Sequence, residues 1–362
     1  MPLQVGIVGL SLVGKTTIFN ALTGARASAL APAGNKPNVG IVKIPDERLH
    51  IIAKYIPTKE IVHATIQVVD VPGLVRGAST GEGLGNKFLA HVRDMDAILH
   101  VVRCFDSADV PHVEQTIDPV RDVDTVETEL ALADLEVVSG AMDKAERAAK
   151  SGEKEAVARA EILRRAYACL NEGRPVRELN LSSEQLRLIR SYGLITAKKT
   201  LFVANVGEDD IAGTSERVEA LRRRAAAEQA PMVAICGKLE AEIAELDEKD
   251  RAEMLAAMGL KEPAQAVLAR ESCRLLGLHT FFTAGPKMVR SWTIPIGATA
   301  PQAAGAIHTD FERAFIRAEV YRVEDLAQYK TEAALRQHGK LRVEGRNYVV
   351  QEGDVIYFLT SA

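Results

Sequence analysis

Five short apolar runs punctuate the first two-thirds of the chain: Leu3 to Val8, Val62 to Asp70, Ala97 to Phe105, Thr200 to Val206 and Met232 to Gly237. Their nearly unbroken apolar character predicts strands buried on both faces of a parallel sheet. Most intervals between them hold helix-compatible or loop-like sequence, the βα rhythm of an α/β, doubly wound sheet. One interval is different, because 95 positions separate Phe105 from Thr200. Within it Leu135, Val138, Met142, Ala145 and Ala149 step by three and four, and Ala156, Ala160, Leu163, Tyr167 and Leu170 repeat those steps after Ser151-Gly152. That pattern predicts an antiparallel coiled-coil hairpin with a seam on each arm. Its polar positions balance 11 Lys and Arg against 12 Asp and Glu between Val126 and Tyr192, as solvated outer faces do.

The pattern changes near Leu278, beyond which lie 10 of the 17 aromatic residues. The β-rich runs Asn347 to Val350 and Asp354 to Leu359 flank Gln351-Glu352-Gly353, which predicts two strands about a turn in a small α+β domain. A core accounts for most of those aromatics; a surface on which RNA bases stack is the alternative. The expected domains are therefore 1–125 with 195–277, the insertion 126–194, and 278–362.

Composition narrows the class. A chain of 362 residues suits two or three domains. Its 47% hydrophobic and 26% charged content excludes a disordered chain and a membrane bundle. A net charge of −4 means that any nucleic-acid contact must come from a local patch. The uncharged stretch Ser291 to Thr309 carries Pro295, Gly297, Pro301 and Gly305, so it does not read as a spanning helix. The N-terminus lacks the features of a secretory leader. Cys104, Cys169, Cys236 and Cys273 match no metal or redox spacing and read as reduced, buried thiols, Cys104 included. A cytoplasmic location is expected.

Three elements carry the chemistry. Gly9-Leu10-Ser11-Leu12-Val13-Gly14-Lys15-Thr16 satisfies G-x-x-x-x-G-K-[ST] between a strand and a helix-compatible run. A loop of that length turns its N–H groups around a phosphate, Lys15 reaches the terminal phosphates, and Thr16 offers a hydroxyl to Mg²⁺. Asp70-Val71-Pro72-Gly73 ends the next strand, where an Asp serves Mg²⁺ and a Gly N–H meets the γ-phosphate. The Gly-rich stretch Gly77 to Asn86 would respond to that phosphate. Asn205-Val206-Gly207-Glu208 stands where a guanine-selective site presents Asn-Lys-x-Asp. Val206 and Glu208 replace the Lys and Asp, so adenine becomes the expected base, with GTP as the alternative. Cys236-Gly237-Lys238 would close the base pocket.

These residues, together with GEGLGNKFLAHVRD, HVVRCF, ETELALADLE, the TAGPKMVRSWTIPIGATAPQ stretch and the terminal EGDVIYFL, resemble the YchF or Obg-like ATPase family of P-loop NTPases. The resemblance spans essentially the whole chain. It implies a nucleotide domain interrupted by a coiled-coil arm and a C-terminal TGS-type, ubiquitin-like half-barrel. It further implies ATP binding with Mg²⁺, slow hydrolysis and attachment to the ribosome or its large subunit, with ribosomal RNA met through the TGS-like domain, and a monomer. Carried over by position, Leu12, Val13, Gly14, Lys15, Thr16 and Thr17 would bind phosphate, and Asn205, Val206, Glu208, Cys236 and Gly237 the base. Thr16 and Asp70 would hold the metal, and Lys15, Gly73 and His112 would serve catalysis. Leu74 occupies the place of a water-orienting Gln, and His112 is the family's substitute for it.

The chain departs from the family pattern at Leu12, where Asn is usual and assists a potassium ion. It departs again at Ala31-Pro32-Ala33-Gly34-Asn35, where Gly34 replaces a Thr ligand of Mg²⁺. Ser11 is a milder, structural change. Two functions therefore stand: a slow ATPase acting as a switch, and a hydrolysis-deficient, nucleotide-gated adaptor. A GTPase of the Obg type is a third.

Overall fold

The computed structural model describes residues 3–24, 37–74, 77 and 84–361. The switch positions around Gly34, and residues 78–83 of the Gly-rich stretch, lie outside them.

The chain opens with β1 (Gln4–Val8), α1 (Lys15–Thr23), β2 (Asn38–Lys43) and α2 (Arg48–Tyr55). β3 (Ile61–Val62), β4 (Thr65–Asp70), α3 (Leu84–Asp94) and β5 (Ala97–Arg103) follow. Then come α4 (Pro119–Ala149), α5 (Lys154–Asn171), α6 (Ser183–Ile189), β6 (Lys199–Asn205) and α7 (Glu216–Ala227). β7 (Met232–Ile235), α8 (Gly237–Glu245), α9 (Glu248–Ala257) and α10 (Ala264–Leu275) lead into β8 (Leu278–Ala284) and β9 (Val289–Pro295). The chain ends with α11 (Ala300–Ile307), α12 (Thr309–Arg313), β10 (Phe315–Arg322), α13 (Val323–Tyr329), α14 (Glu332–Gln337), β11 (Arg342–Glu344) and β12 (Asp354–Thr360).

Two compact units result: Met1–Ile41 with Gln67–Leu268, and Val42–Ile66 with Ala269–Ala362. In the first, a six-stranded sheet runs β2-β4-β1-β5-β6-β7, with parallel ladders from β4 through β7. All seven residues of β5 are buried, as its unbroken apolar sequence requires. β1 lies between β4 and β5, so the connections diverge there and leave a crevice beyond the carboxyl ends of the strands.

The hairpin forms as α4 and α5, but it starts at Pro119, before the expected Val126. Asp118 sets that start: its carboxylate accepts from the Val120 and Arg121 N–H groups ahead of a helix with Pro119 in its first turn. Val138, Ala145, Ala160, Leu163 and Leu170 are buried in the seam. Tyr167 is not in it; it is 38% exposed, and Ala166 takes the place. The step from Leu163 goes by three and then four, which turns the small Ala166 inward and lets the arms approach closely.

The hairpin is anchored by Asp134, which is fully buried and accepts from the Ile195 N–H at 3.0 Å, the Thr196 N–H at 2.7 Å and the Thr196 hydroxyl at 2.8 Å. Arg93 lies 3.3 Å from it and also donates to the Gly193 and Ala133 carbonyls. Nearby, Arg177 bridges Glu127 and Glu228, and Arg224 joins Glu127, Glu228 and Asp124.

The second unit holds a mixed sheet in the order β11-β10-β12-β8-β9-β3. Adjacent Phe281 and Phe282 point to opposite faces, one into a core with Ala300, Ala303, Val320 and Ile356, the other into a core with Leu49, Ile52, Tyr321 and Val355. Three expectations are corrected here. The run Val62 to Asp70 is split: β3 pairs in parallel with β9, and only β4 joins the first sheet. At the break, Ala64 donates its N–H to the Ser291 hydroxyl at 2.8 Å. Residues 42–66 consequently belong with the C-terminal unit and not with 1–125. Asn347 to Val350 is not a strand, because the Tyr348 carbonyl and Val350 N–H are taken by Ala300 and Ala298 at the start of α11. Most aromatics are core or packed against it, but Tyr357 is 63% exposed. All four cysteines are free and buried, as expected. Among the described residues, no helix is long and apolar enough to cross a membrane.

Replacing Asp134 by Ala should lower unfolding stability by about 3 kcal/mol, because Arg93 and three donors lose a buried acceptor. Urea unfolding followed by circular dichroism measures this, and a loss below 1 kcal/mol would show that the anchor is dispensable.

Candidate functional site

The loop between β1 and α1 fixes the site. Gly14 has φ 94°, a conformation side chains rarely adopt, and a Cβ there would overlap the Asn205 amide nitrogen. That amide binds in two directions. Asn205 Nδ2 donates to the Val13 carbonyl at 2.9 Å, and Oδ1 accepts the Gly237 N–H at 3.0 Å. One side chain thus ties the phosphate loop to the end of β6 and the start of α8.

Lys15 is buried, and its ammonium donates to the carbonyls of Gly9 at 3.1 Å and Leu10 at 2.5 Å. Burial lowers its pKa to about 8, against the opposing charge of Asp70. Burial raises the Asp70 pKa, partly offset by the Thr16 hydroxyl and by Lys15. Thr16 donates to Asp70 at 2.9 Å. The two put hard oxygen donors side by side, the chemistry that suits Mg²⁺. Gly73 adjoins them: a Cβ there would stand 2.6 Å from the Ser11 hydroxyl and 3.1 Å from the Lys15 ammonium. Leu74 is fully buried and donates its N–H to the Gly9 carbonyl at 3.1 Å, so its side chain cannot orient water.

A cavity of about 890 Å³ opens beside this loop. Leu12, Gly14, Lys15, Thr16 and Thr17 of the loop and α1 line it together with Asn205, Val206, Glu208 and Cys236. Val13 and Gly237 join through the Asn205 amide, and Asp70 through Thr16. A mononucleotide-sized ligand with a charged tail suits such a cleft.

Two family profiles match the chain: one described as a 50S ribosome-binding GTPase over residues 4–137, the other the YchF GTPase C-terminal region, a protein of unknown function, over residues 278–361. The chain is 45% identical to the ribosome-binding ATPase YchF of Pasteurella multocida and 44% to that of Bacillus subtilis, over 99% of each chain. The solved structure of the Schizosaccharomyces pombe YchF GTPase superposes with a TM-score of 0.86 at 34% identity, covering 99% of this chain and 98% of that one. The chain belongs to the YchF family.

In this YchF chain Leu12 adopts φ 64° and is 51% exposed at the mouth of the cavity. The position is one that Gly, Asn or Asp fills with less strain, so Leu here carries a backbone cost. His112 does not line the cavity. Its Nε2 lies 2.8 Å from Asp122 in the first turn of α4, both side chains buried, and Arg121 holds the other Asp122 oxygen at 2.8 Å.

Two residues that sequence reading left unassigned shape the site. Arg103, at the end of β5, is buried and donates to the carbonyls of Phe105, Val110 and Pro111, with its guanidinium over the Phe105 ring. It thereby holds the loop whose Phe105, Asp106, Ser107 and Val110 form one cavity wall. The available signal was that Arg103 is the one charged residue in the run Ala97 to Phe105. The other is Glu129 of α4, which accepts the Gly77 N–H at 2.6 Å and so links the arm to the chain beyond Gly73.

A phosphate held by Lys15 would require the ammonium charged and would raise its pKa again. Above pH 8, triphosphate binding should therefore take up a proton and weaken by up to about tenfold per pH unit. Calorimetry in buffers of different ionisation enthalpy measures that uptake; none at pH 9 would show that Lys15 stays charged.

Proposed function

We propose that this chain is a slow, Mg²⁺-dependent ATPase of the cytoplasm that uses its nucleotide state to control attachment to the ribosome. The observation that carries the reading is one cavity lined by Lys15 and Thr16 together with Val206, Glu208 and Cys236, with Asp70 bonded to Thr16 and Gly73 beside Lys15 outside that lining. Lys15 and Thr16 are the residues a triphosphate requires, and Glu208 stands where the Asn-Lys-x-Asp of a guanine reader has its Asp. The curated relatives are named ribosome-binding ATPases, which supports both the base and the partner.

In the proposed reaction Lys15 bears on the terminal phosphates and the Gly73 N–H on the γ-phosphate. Thr16 and Asp70 would hold Mg²⁺, which would supply positive charge against the phosphate oxygens. Leu74 supplies no polar atom to the attacking water, so turnover is slow. His112 is the proposed water-positioning group, and reaching the phosphate requires release from Asp122. The engagement of His112 with Asp122 also favours the second reading, an adaptor that binds nucleotide without useful turnover. In either reading the chain acts as a monomer, and the C-terminal unit provides the surface for ribosomal RNA.

Single-turnover hydrolysis of ATP and GTP, with and without ribosomes, tests the proposal. ATP turnover in the unmodified chain, falling at least about 100-fold in Lys15→Ala, is the expected result. Tight binding without phosphate release under every condition would establish the adaptor. Failure to co-sediment with ribosomal subunits in any nucleotide state would remove the ribosome from the proposal.

A further inference from the structure

The loop between β1 and α1 carries a side-chain hydroxyl that the fold leaves unspent. Ser11, a structural change by sequence expectation, sits half-buried between Leu10 and the left-handed Leu12. Structural hydroxyls elsewhere in this chain bond the backbone. Ser182, Ser215 and Thr331 accept N–H groups at the starts of α6, α7 and α14, and Ser291 accepts that of Ala64. The loop is tied by other groups, the Asn205 amide on the Val13 carbonyl and the Leu74 N–H on the Gly9 carbonyl. The Ser11 hydroxyl takes part in neither tie, and among the described residues it has no hydrogen-bond partner.

A Cβ built on Gly73 would stand 2.6 Å from Ser11 Oγ but 3.1 Å from Ser11 Cα, so the hydroxyl is turned toward Gly73. The same Cβ would stand 3.1 Å from Lys15 Nζ. Hydroxyl, ammonium and the Gly73 backbone therefore meet around one point, outside the cavity lining but beside the Lys15 that belongs to it. The neighbouring side-chain donors are committed, Lys15 to the Gly9 and Leu10 carbonyls and Thr16 to Asp70. Ser11 is the uncommitted one. In the proposed function Lys15 and the Gly73 N–H both bear on the γ-phosphate, and a group that adjoins both is within reach of the same phosphoryl oxygens. A hydroxyl there supplies one donor to an anionic acceptor, the stronger class of hydrogen bond. A diphosphate ends short of that point.

We infer that Ser11 binds the γ-phosphate: its hydroxyl donates to an oxygen of the terminal phosphate and makes the site favour a triphosphate over a diphosphate. The inference rests on the proposal that Lys15 and Gly73 take the terminal phosphate of a nucleotide, and it holds whether or not that nucleotide is hydrolysed.

Competition against a fluorescent nucleotide, with Mg²⁺ and the full chain, measures the affinities of ADP and of the non-hydrolysable β,γ-imido analogue of ATP. The proteins compared are the unmodified chain, Ser11→Ala and Ser11→Gly. Both variants should lose about tenfold in affinity for the analogue, the worth of a hydrogen bond to a charged acceptor, and stay within about twofold for ADP. Retained ADP binding shows in the same assay that the loop is folded. Ser151→Ala, at the exposed turn of the hairpin, should change neither affinity. An unchanged analogue-to-ADP ratio in Ser11→Ala, an equal loss for both nucleotides, or full analogue affinity in Ser11→Gly would overturn the inference while leaving the nucleotide proposal standing. No saturable binding of either nucleotide by the unmodified chain would overturn that proposal and this inference with it.

Discussion

The working end of the first unit depends on the side-chain amide of Asn205. Three segments far apart in sequence, ending at Val13, Asn205 and Gly237, meet there through one donor and one acceptor. The bonds are buried, and losing either partner would leave a backbone group unpaired at a cost of about 1–3 kcal/mol. Gly14 is a consequence of the same contact, since the amide fills the space a side chain would need. The loop between β1 and α1 and the start of α8 therefore share one fixed point, and a displacement of α8 is also a displacement of the loop.

The arm is attached in a comparable way, by carboxylates. Along α4, Asp122, Glu127, Glu129 and Asp134 are all buried, and each meets a different part of the unit: His112, Arg177, Gly77 and the 195–196 backbone. Buried ion pairs return little net stability after desolvation, yet they fix geometry. His100 lies beneath the arginines of this network, and burial followed by their charge depresses its pKa to about 3, so it stays neutral and adds no further cation. Glu129 places one of those points on the chain that follows Gly73.

Much of this was legible in the sequence because it is local. The five apolar runs, the phosphate loop, the strand-terminal Asp70 and the two hairpin arms are each defined by a few consecutive or periodic residues. The features that escaped are set by distant partners. Nothing in Ile61-Val62 distinguishes a strand that continues into Thr65 from one that pairs with Val289, and the division follows from Ser291 capturing Ala64. Val349 alternates like a strand residue but is claimed by the segment before α11. Tyr167 and Ala166 are equally compatible with a helical seam until the packing distance of the other arm selects the smaller. His112 was singled out only through the family resemblance; its engagement with Asp122 requires the fold.

The excursion of residues 42–66 into the second unit has a consequence for synthesis. Leu49 and Ile52 complete an apolar core whose other half is built from Phe282, Val289, Tyr321 and Val355. Ala64 meets its hydroxyl partner 227 residues later. At roughly 5–20 residues per second, that stretch of translation lasts about 10–45 s. Throughout that interval α2 has emerged with no partner for its apolar face, while the strands on both sides of it in sequence can already pair. A nascent chain of this protein must therefore carry an open, hydrophobic loop out of an otherwise closing nucleotide domain, a period in which a chaperone or the ribosome surface has something to hold.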